Sequence, residues 1–189
     1  MDTVVAAPPA SVPATLRKLY FLRFAFAAVW AALLFTTADE LGPLSTTLLL
    51  VYPLFDVAAA VVDVRSAKAN GGPVAPLYAN IAISSLTVLA LALALAATSG
   101  IPAVLRVWGA WAVTAGIVQL VVGAVRRRLG GQWPMIVSGA ISTLAGISFV
   151  TQAGADDPTL SSLAGYAFLG GVFFLASALR LTRGARPAA

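Results

Sequence analysis

Three ionisable side chains lie inside stretches that are otherwise apolar, namely Arg23, Asp56 and Asp63. A charged side chain in the interior of a bilayer costs about 2.5–3.5 kcal/mol on insertion scales, so such residues usually face inward and pair with each other. Asp56 and Asp63 are seven positions apart, which puts both carboxylates on one face of a helix. We therefore predict that Arg23 contacts Asp56 or Asp63.

This predicted contact has three interpretations. It is a neutralised ion pair that clips the first apolar segment to the second. Alternatively, it is a proton-responsive or ion-binding site, because a carboxyl group away from water takes up a proton more readily unless it is paired. In the third interpretation, the charged groups extend to the membrane surface and stay in water. The sequence alone leaves all three open.

Uncharged polar side chains form two further helix faces. Asn80, Ser84 and Thr87 follow the spacing i, i+4, i+7, and Ser138 and Ser142 are four positions apart. Such faces line a polar path in some membrane proteins. More often, their side chains make hydrogen bonds between helices or to their own backbone. We place Asn80 with the three charged residues as a candidate intramembrane polar site.

The residue types needed for catalysis are largely missing. The chain contains no Cys and no His, which excludes disulfides, thiol catalysis, the usual zinc sites and imidazole acid–base chemistry. Serine chemistry would need a base beside Ser84 or Ser142, and no His or buried Lys is available. We therefore expect no enzyme activity, no catalytic or metal-binding residues and no cofactor.

The composition predicts which environment holds these residues. Of the 189 residues, 60% are hydrophobic and only 10% are charged, and the mean hydropathy is +0.93. Soluble domains carry about 25% charged residues, so this chain has too little polar surface for water and is expected to be an integral membrane protein. The net charge of +5 does not indicate nucleic-acid binding, because the basic residues stand at segment ends.

Six apolar segments, each long enough to cross a bilayer as a helix, follow one another along the chain. The predicted fold class is all-α: an integral membrane six-helix bundle. We expect a flexible cytoplasmic tail over residues 1–17, a transmembrane domain over 18–183 and a short cytoplasmic tail over 184–189. The predicted spans are 18–37, 44–64, 77–97, 107–125, 133–152 and 160–181.

The distribution of charge predicts the orientation. One set of segment ends carries Arg17, Lys18, Arg65, Lys68, Arg126, Arg127, Arg128, Arg180, Arg183 and Arg186, and the opposite set carries Asp39, Glu40, Asp156 and Asp157. Because basic residues in short loops stay in the cytoplasm, both termini are predicted to be cytoplasmic. Trp108 and Trp111, near the start of the fourth predicted span, are expected at the outer membrane surface.

The odd-numbered segments resemble one another. Residues 82–86 read AISSL and residues 140–144 read AISTL, and the segment beginning at Arg23 aligns with those beginning at Asn80 and Ser138. The even-numbered segments align more loosely, with Asp56 opposite Gly116 and Gly170. This pattern predicts three tandem helical hairpins with a period of about 57 residues, all in the same orientation.

Glycines recur at every seventh position of the fourth segment, at Gly109, Gly116 and Gly123. Gly139 and Gly146 repeat the same spacing in the fifth segment. Glycines on one face let the backbones of membrane helices approach closely, so these five residues are predicted to pack helices together.

The glycine and aromatic spacings of segments four to six resemble those of the HdeD-type acid-resistance membrane proteins. The residues that carry the resemblance are 133–139 (WPMIVSG), Gly146, the run from Gly109 through Gly116 to Arg126–Arg128, and Gly171 with the ending at Ala178–Arg180. The resemblance covers about residues 18–183. It implies a six-span protein of the bacterial inner membrane linked to acid stress, and it supplies no catalytic residues. Arg23, Asp56 and Asp63 depart from it, because the other hairpins have small or neutral residues there.

Together these patterns favour a non-enzymatic, multi-pass protein of the bacterial inner membrane that supports acid or envelope-stress tolerance by binding a partner or lipid. The alternative is a small channel or proton-coupled carrier that uses the intramembrane Asp and Arg residues. The expected partners are the lipid bilayer, with its anionic headgroups facing the arginines, and a second copy of the chain in a homo-oligomer.

Overall fold

The computed structural model describes residues 14–125 and 133–184, and every regular element in these two ranges is an α-helix. All six helices are long and apolar enough to cross a membrane, so the predicted all-α six-helix membrane bundle is confirmed. The predicted arginine cluster at 126–128 and most of both predicted tails lie outside the described residues. The helices are α1 (Ala14–Phe35), α2 (Pro43–Ala69), α3 (Ala75–Ala96), α4 (Gly100–Val125), α5 (Trp133–Gln152) and α6 (Ser161–Gly184).

Two helices extend clearly beyond the predicted spans. Helix α2 continues past residue 64 to Ala69, so Arg65 and Lys68 form part of its last turns. Helix α4 begins at Gly100 rather than at residue 107. Pro102 falls in the first turn of α4, where a missing backbone N–H costs nothing because that group has no partner inside the helix. The early start of α4 moves Trp108 from a helix end to a third turn.

The best-packed part of the bundle lies at the end where the loops 36–42, 97–99 and 153–160 meet. We call this the acidic end, because Asp39, Glu40, Asp156 and Asp157 belong to those loops. Its core includes Trp30, Leu49 and Trp108, which are at most 1% exposed. The backbone N–H of Leu160 donates to the Ala38 carbonyl at 2.8 Å and ties two of the loops. The prediction that Trp108 lies at the membrane surface is therefore wrong.

Helices α4 and α5 pack with their backbones in close contact. A Cβ atom on Gly116 would lie 2.6 Å from the Gly139 carbonyl oxygen, and one on Gly109 would lie 2.7 Å from that of Gly146. Gly109 comes before Gly116 in α4, whereas its partner Gly146 comes after Gly139 in α5. The two helices are therefore antiparallel. A Cβ atom on Gly123, two residues before the described end of α4, would lie 2.7 Å from Ile136 Cγ1. The glycines singled out in the sequence thus lie in this interface.

Close and loose interfaces alternate around the bundle. The closest pairs are α4 with α5, α1 with α6 and α2 with α3, whereas α5 and α6 touch least among the consecutive helices. The close pairs therefore join helices from different predicted hairpins, and the tandem hairpin repeat stays a prediction. Residues at or next to aligned repeat positions meet in the close pairs: Asp56 with Ser84, Gly116 with Thr143, and Gly171 with Ala27.

Candidate functional site

Arg23 of α1 lies between the two carboxylates of α2. Its Nη2 atom is 3.2 Å from Asp63 Oδ2, and its Nη1 atom is 3.9 Å from Asp56 Oδ1. The side chains of Arg23, Asp56 and Asp63 are 11%, 22% and 13% exposed, so the group is largely buried. Two turns of helix separate the two aspartates, and this spacing lets one guanidinium reach both. We call Arg23, Asp56 and Asp63 the charge cluster.

The guanidinium of Arg23 also contacts α6. Its Cζ atom lies 4.8 Å from the ring centroid of Phe174, which is the geometry of a cation–π interaction. Tyr20, one turn before Arg23, packs on the same ring with a centroid separation of 5.7 Å. A cation above an aromatic face keeps part of its electrostatic stabilisation where water is scarce. Arg23 therefore connects α1 with α2 on one side and with α6 on the other.

Asp56 extends the network to α3 and α4. Its Oδ2 atom accepts hydrogen bonds from Asn80 Nδ2 at 2.8 Å and from Ser84 Oγ at 2.9 Å. The indole N–H of Trp111 donates to Ser84 Oγ at 3.2 Å. Because Ser84 accepts from the indole, its own hydroxyl hydrogen is free to point at Asp56. Two donors therefore satisfy this oxygen of Asp56.

Asp63 is less well satisfied than Asp56. Its Oδ1 atom is buried and has no hydrogen-bond partner among the described residues, and the same is true of Arg23 Nε. In the described structure, the polar contact of the Asp63 side chain is thus the ion pair between its Oδ2 atom and Arg23. The two carboxylates share one cation but differ in the number of hydrogen bonds that support them.

A small cavity borders the charge cluster. Its volume is about 20 Å³, and its lining consists of Arg23, Phe26, Tyr52, Phe55, Asp56 and Phe174. A cavity needs about 10–15 Å³ to hold one water molecule, so this one has room for a single water but not for an organic solute. Four of the six lining residues are aromatic, and they separate the charges from the packed core at the acidic end.

Aromatic side chains extend from that core to the lining of the cavity. Trp30 stacks with Trp108 at 5.5 Å between ring centroids, and Trp108 meets Trp111 edge-on at 5.0 Å. Tyr52 packs against Trp30 at 4.6 Å and lines the cavity. Trp30 Nε1 also donates to the Leu48 carbonyl at 2.7 Å, which fixes α1 to α2. The aromatic packing leaves the charge cluster closed toward the acidic end.

The other polar candidates do not extend the network into a continuous path. Thr87 donates to the carbonyl of Ile83 in its own helix at 3.0 Å. Ser142 lies 2.9 Å from the hydroxyl of Tyr166, which connects α5 to α6 at a separate place. Among the described residues, no group of acidic side chains is arranged to hold a metal ion.

Two residues of the site, Phe174 and Trp111, escaped the sequence analysis, and so did Tyr166 beside Ser142. Phe174 and Tyr166 lie in the apolar α6, where nothing marks an aromatic residue as a partner of a charge or of a serine. Trp111 is expected from its sequence position at the membrane surface, yet it donates a hydrogen bond inside the bundle. Its spacing of three from the buried Trp108 was the signal that both tryptophans face the same way.

Comparison of the chain with protein-family models, with curated proteins and with solved structures finds no match.

Proposed function

We propose that this multi-pass membrane protein is a non-enzymatic component of the bacterial inner membrane that supports tolerance of acid or envelope stress by binding a partner or lipid. The observation that carries the proposal is the closure of the charge cluster. Its charged groups contact one another and polar residues of α3, and the adjoining cavity has room for about one water.

A closed cluster favours a binding role over transport. A carrier needs a chamber that surrounds its solute near the middle of the membrane, and a channel needs a continuous wet path. Here Asn80 and Ser84 donate to Asp56 instead of lining a path, and aromatic side chains occupy the space beyond. The polar side chains thus connect helices inside the bundle. A partner or lipid would therefore bind to the outside of the bundle.

The outside of the bundle suits contact with lipid. Large apolar side chains are exposed along the helices, as at Leu86, which is 65% exposed, and Leu93, which is 63% exposed. Lys18, Arg65 and Lys68 are exposed at the end opposite the acidic loops. Basic residues near an anionic membrane surface contribute about 1 kcal/mol each, so this end favours anionic headgroups. The link to acid or envelope stress comes from the HdeD-type resemblance of the sequence.

Reconstitution of the full chain into liposomes tests the non-transport part of the proposal. With a pH dye trapped inside and a pH gradient imposed, the proteoliposomes should leak protons no faster than protein-free liposomes of the same lipid. A saturable flux of protons or of a solute would contradict the proposal.

Survival of a deletion strain tests the stress role. A strain that lacks the gene should survive acid or envelope stress less well, and unchanged survival would contradict the stress role.

A second candidate, a small channel or proton-coupled carrier, rests on a different observation. Arg23 is one cation facing two carboxylates, so the charge cluster carries one unneutralised negative charge when all three groups are ionised. Proton-coupled carriers use buried carboxylates of this kind. In such a carrier, Asp56→Asn would abolish proton flux in liposomes. If flux exists and Asp56→Asn leaves it unchanged, this candidate is excluded.

A further inference from the structure

The charge cluster has one more negative than positive charge when all three groups are ionised. The charges that act on Asp63 are those of Arg23 from α1 and of Asp56 from its own helix, and Tyr20 of α1 is a further titratable group near it. On α3, Tyr78 lies nearer the helix start than Asn80, and its ring centroid is 5.6 Å from Lys68 Nζ. An unpaired negative charge is costly away from water, and a bound proton removes that cost.

The hydrogen bonds decide which carboxylate accepts this proton. Asp56 receives hydrogen bonds from Asn80 and Ser84, at 2.8 and 2.9 Å, and these would be weakened if Asp56 became neutral. Asp63 has only its ion pair with Arg23, and its buried Oδ1 atom lacks a hydrogen-bond partner in the described structure. A proton on that oxygen disrupts no existing hydrogen bond.

Asp63 also lies nearer than Asp56 to the end of α2. Helix α2 ends at Ala69, six residues after Asp63. Asp56 lies seven residues deeper, which is about 10 Å of helix rise. A proton that enters from the end of α2 with the exposed Arg65 and Lys68 therefore reaches Asp63 first.

We propose that the charge cluster is a single-proton binding site and that Asp63 Oδ1 is the acceptor. A proton from water forms an O–H bond with a lone pair of Oδ1, and Asp63 becomes a neutral carboxylic acid. Arg23 then loses its attraction to Asp63 and moves toward Asp56, which is 3.9 Å from Nη1 in the deprotonated arrangement. The contact of Arg23 with Asp63 is replaced by a closer contact with Asp56, while the hydrogen bonds of Asp56 with α3 persist. This site is independent of the partner or lipid that the protein binds.

Infrared spectroscopy of the full chain in lipid nanodiscs tests the assignment, because a protonated carboxyl group has a carbonyl stretch that a carboxylate lacks. As the pH falls, the wild-type protein should gain one buried carboxylic-acid band in addition to those of the exposed acids. Asp63→Glu should shift the frequency of this band, and Asp56→Glu should not. Asp63→Asn should remove the band and lower proton uptake over the same pH range by one proton per chain.

Asp39→Asn is the matched control, since Asp39 is an exposed carboxylate at the acidic end. It should remove only a band of the exposed class and leave the buried band unchanged. If Asp63→Asn fails to give a folded protein, the comparison of the two Glu variants still decides the assignment. The proposal is overturned if the buried band is absent from the wild type, or if it shifts with Asp56→Glu instead of Asp63→Glu.

Discussion

Arg23 and Asp63 meet across the contact between α1 and α2, with 3.2 Å between Nη2 and Oδ2. Neither residue is near the other in sequence, and helices α1 and α2 otherwise contact each other less closely than α1 and α6 do. The ion pair therefore adds to the Trp30–Leu48 hydrogen bond in connecting two loosely packed neighbours. The contacts of Arg23 with Phe174 and of Asp56 with Asn80 carry this connection to α6 and α3.

Replacing Arg23 by Gln should destabilise the protein strongly. The substitution leaves two buried carboxylates without their cation, and breaking a buried ion pair by removing one partner costs about 3–5 kcal/mol. We expect a lower midpoint of unfolding in detergent micelles when the protein is titrated with denaturant at neutral pH. Arg106→Gln is the control, because Arg106 is an exposed cation in α4. Equal stability of the two variants would contradict the role given to Arg23.

Removing the donors to Asp56 should have a smaller effect of the same sign. Asn80→Ala or Ser84→Ala leaves a carboxylate oxygen with one hydrogen bond fewer, which costs about 1–3 kcal/mol for a buried acceptor. The same unfolding titration measures the loss. Thr87→Val is the matched control on α3, because the hydrogen bond that the described residues give to the Thr87 hydroxyl is to the carbonyl of Ile83 in its own helix. If the control is as destabilised as Ser84→Ala, the hydrogen bonds to Asp56 are not what stabilises this helix pair.

Replacing glycine by alanine should destabilise the protein in the interface of α4 and α5 but not on the open surface of α6. A Cβ atom on Gly116 would lie 2.5 Å from Thr143 Oγ1 and 2.6 Å from the Gly139 carbonyl oxygen, so Gly116→Ala forces the helices apart. Overpacking of this kind costs about 1–3 kcal/mol. At Gly165 of α6, nothing lies within 4 Å of an added Cβ atom. Gly165→Ala should be neutral or slightly stabilising, since Ala is the better helix former.

Unfolding of both variants, followed by circular dichroism in the same detergent, measures this difference. An equal effect of Gly116→Ala and Gly165→Ala would mean that close backbone approach does not hold α4 against α5.

The sequence predicts the number of helices well because each crossing of a bilayer needs about 20 apolar residues, and that requirement leaves a clear signal. It also predicts that Arg23 pairs with a carboxylate, because an unpaired charge inside a membrane has a high free energy. The identity of the donors to Asp56 does not follow from these arguments. Asn80 and Ser84 reach Asp56 only because of the rotation of α3 against α2, which tertiary packing sets.

Trp108 shows how an error in one boundary changes the interpretation of a residue. With a span that starts at residue 107, its indole is expected at the membrane surface, where tryptophans are common. Helix α4 starts at Gly100, so Trp108 lies about 12 Å from the helix start and is 0% exposed. The seven residues before the predicted span include Gly100, Pro102 and Arg106, which lower its hydropathy without ending the helix.

Cysteine accessibility tests most directly whether the charge cluster is closed to solutes. The chain has no Cys, so single substitutions can be labelled without background. Ser84→Cys replaces a 0% exposed residue beside Asp56 with one of similar size, and Asp39→Cys is the exposed reference. In sealed membrane vesicles of each orientation, a membrane-impermeant thiol reagent should label Asp39→Cys quickly from one side. It should leave Ser84→Cys unmodified from both sides. Rapid labelling of Ser84→Cys from either side would reveal an aqueous path to the cluster and would contradict the account.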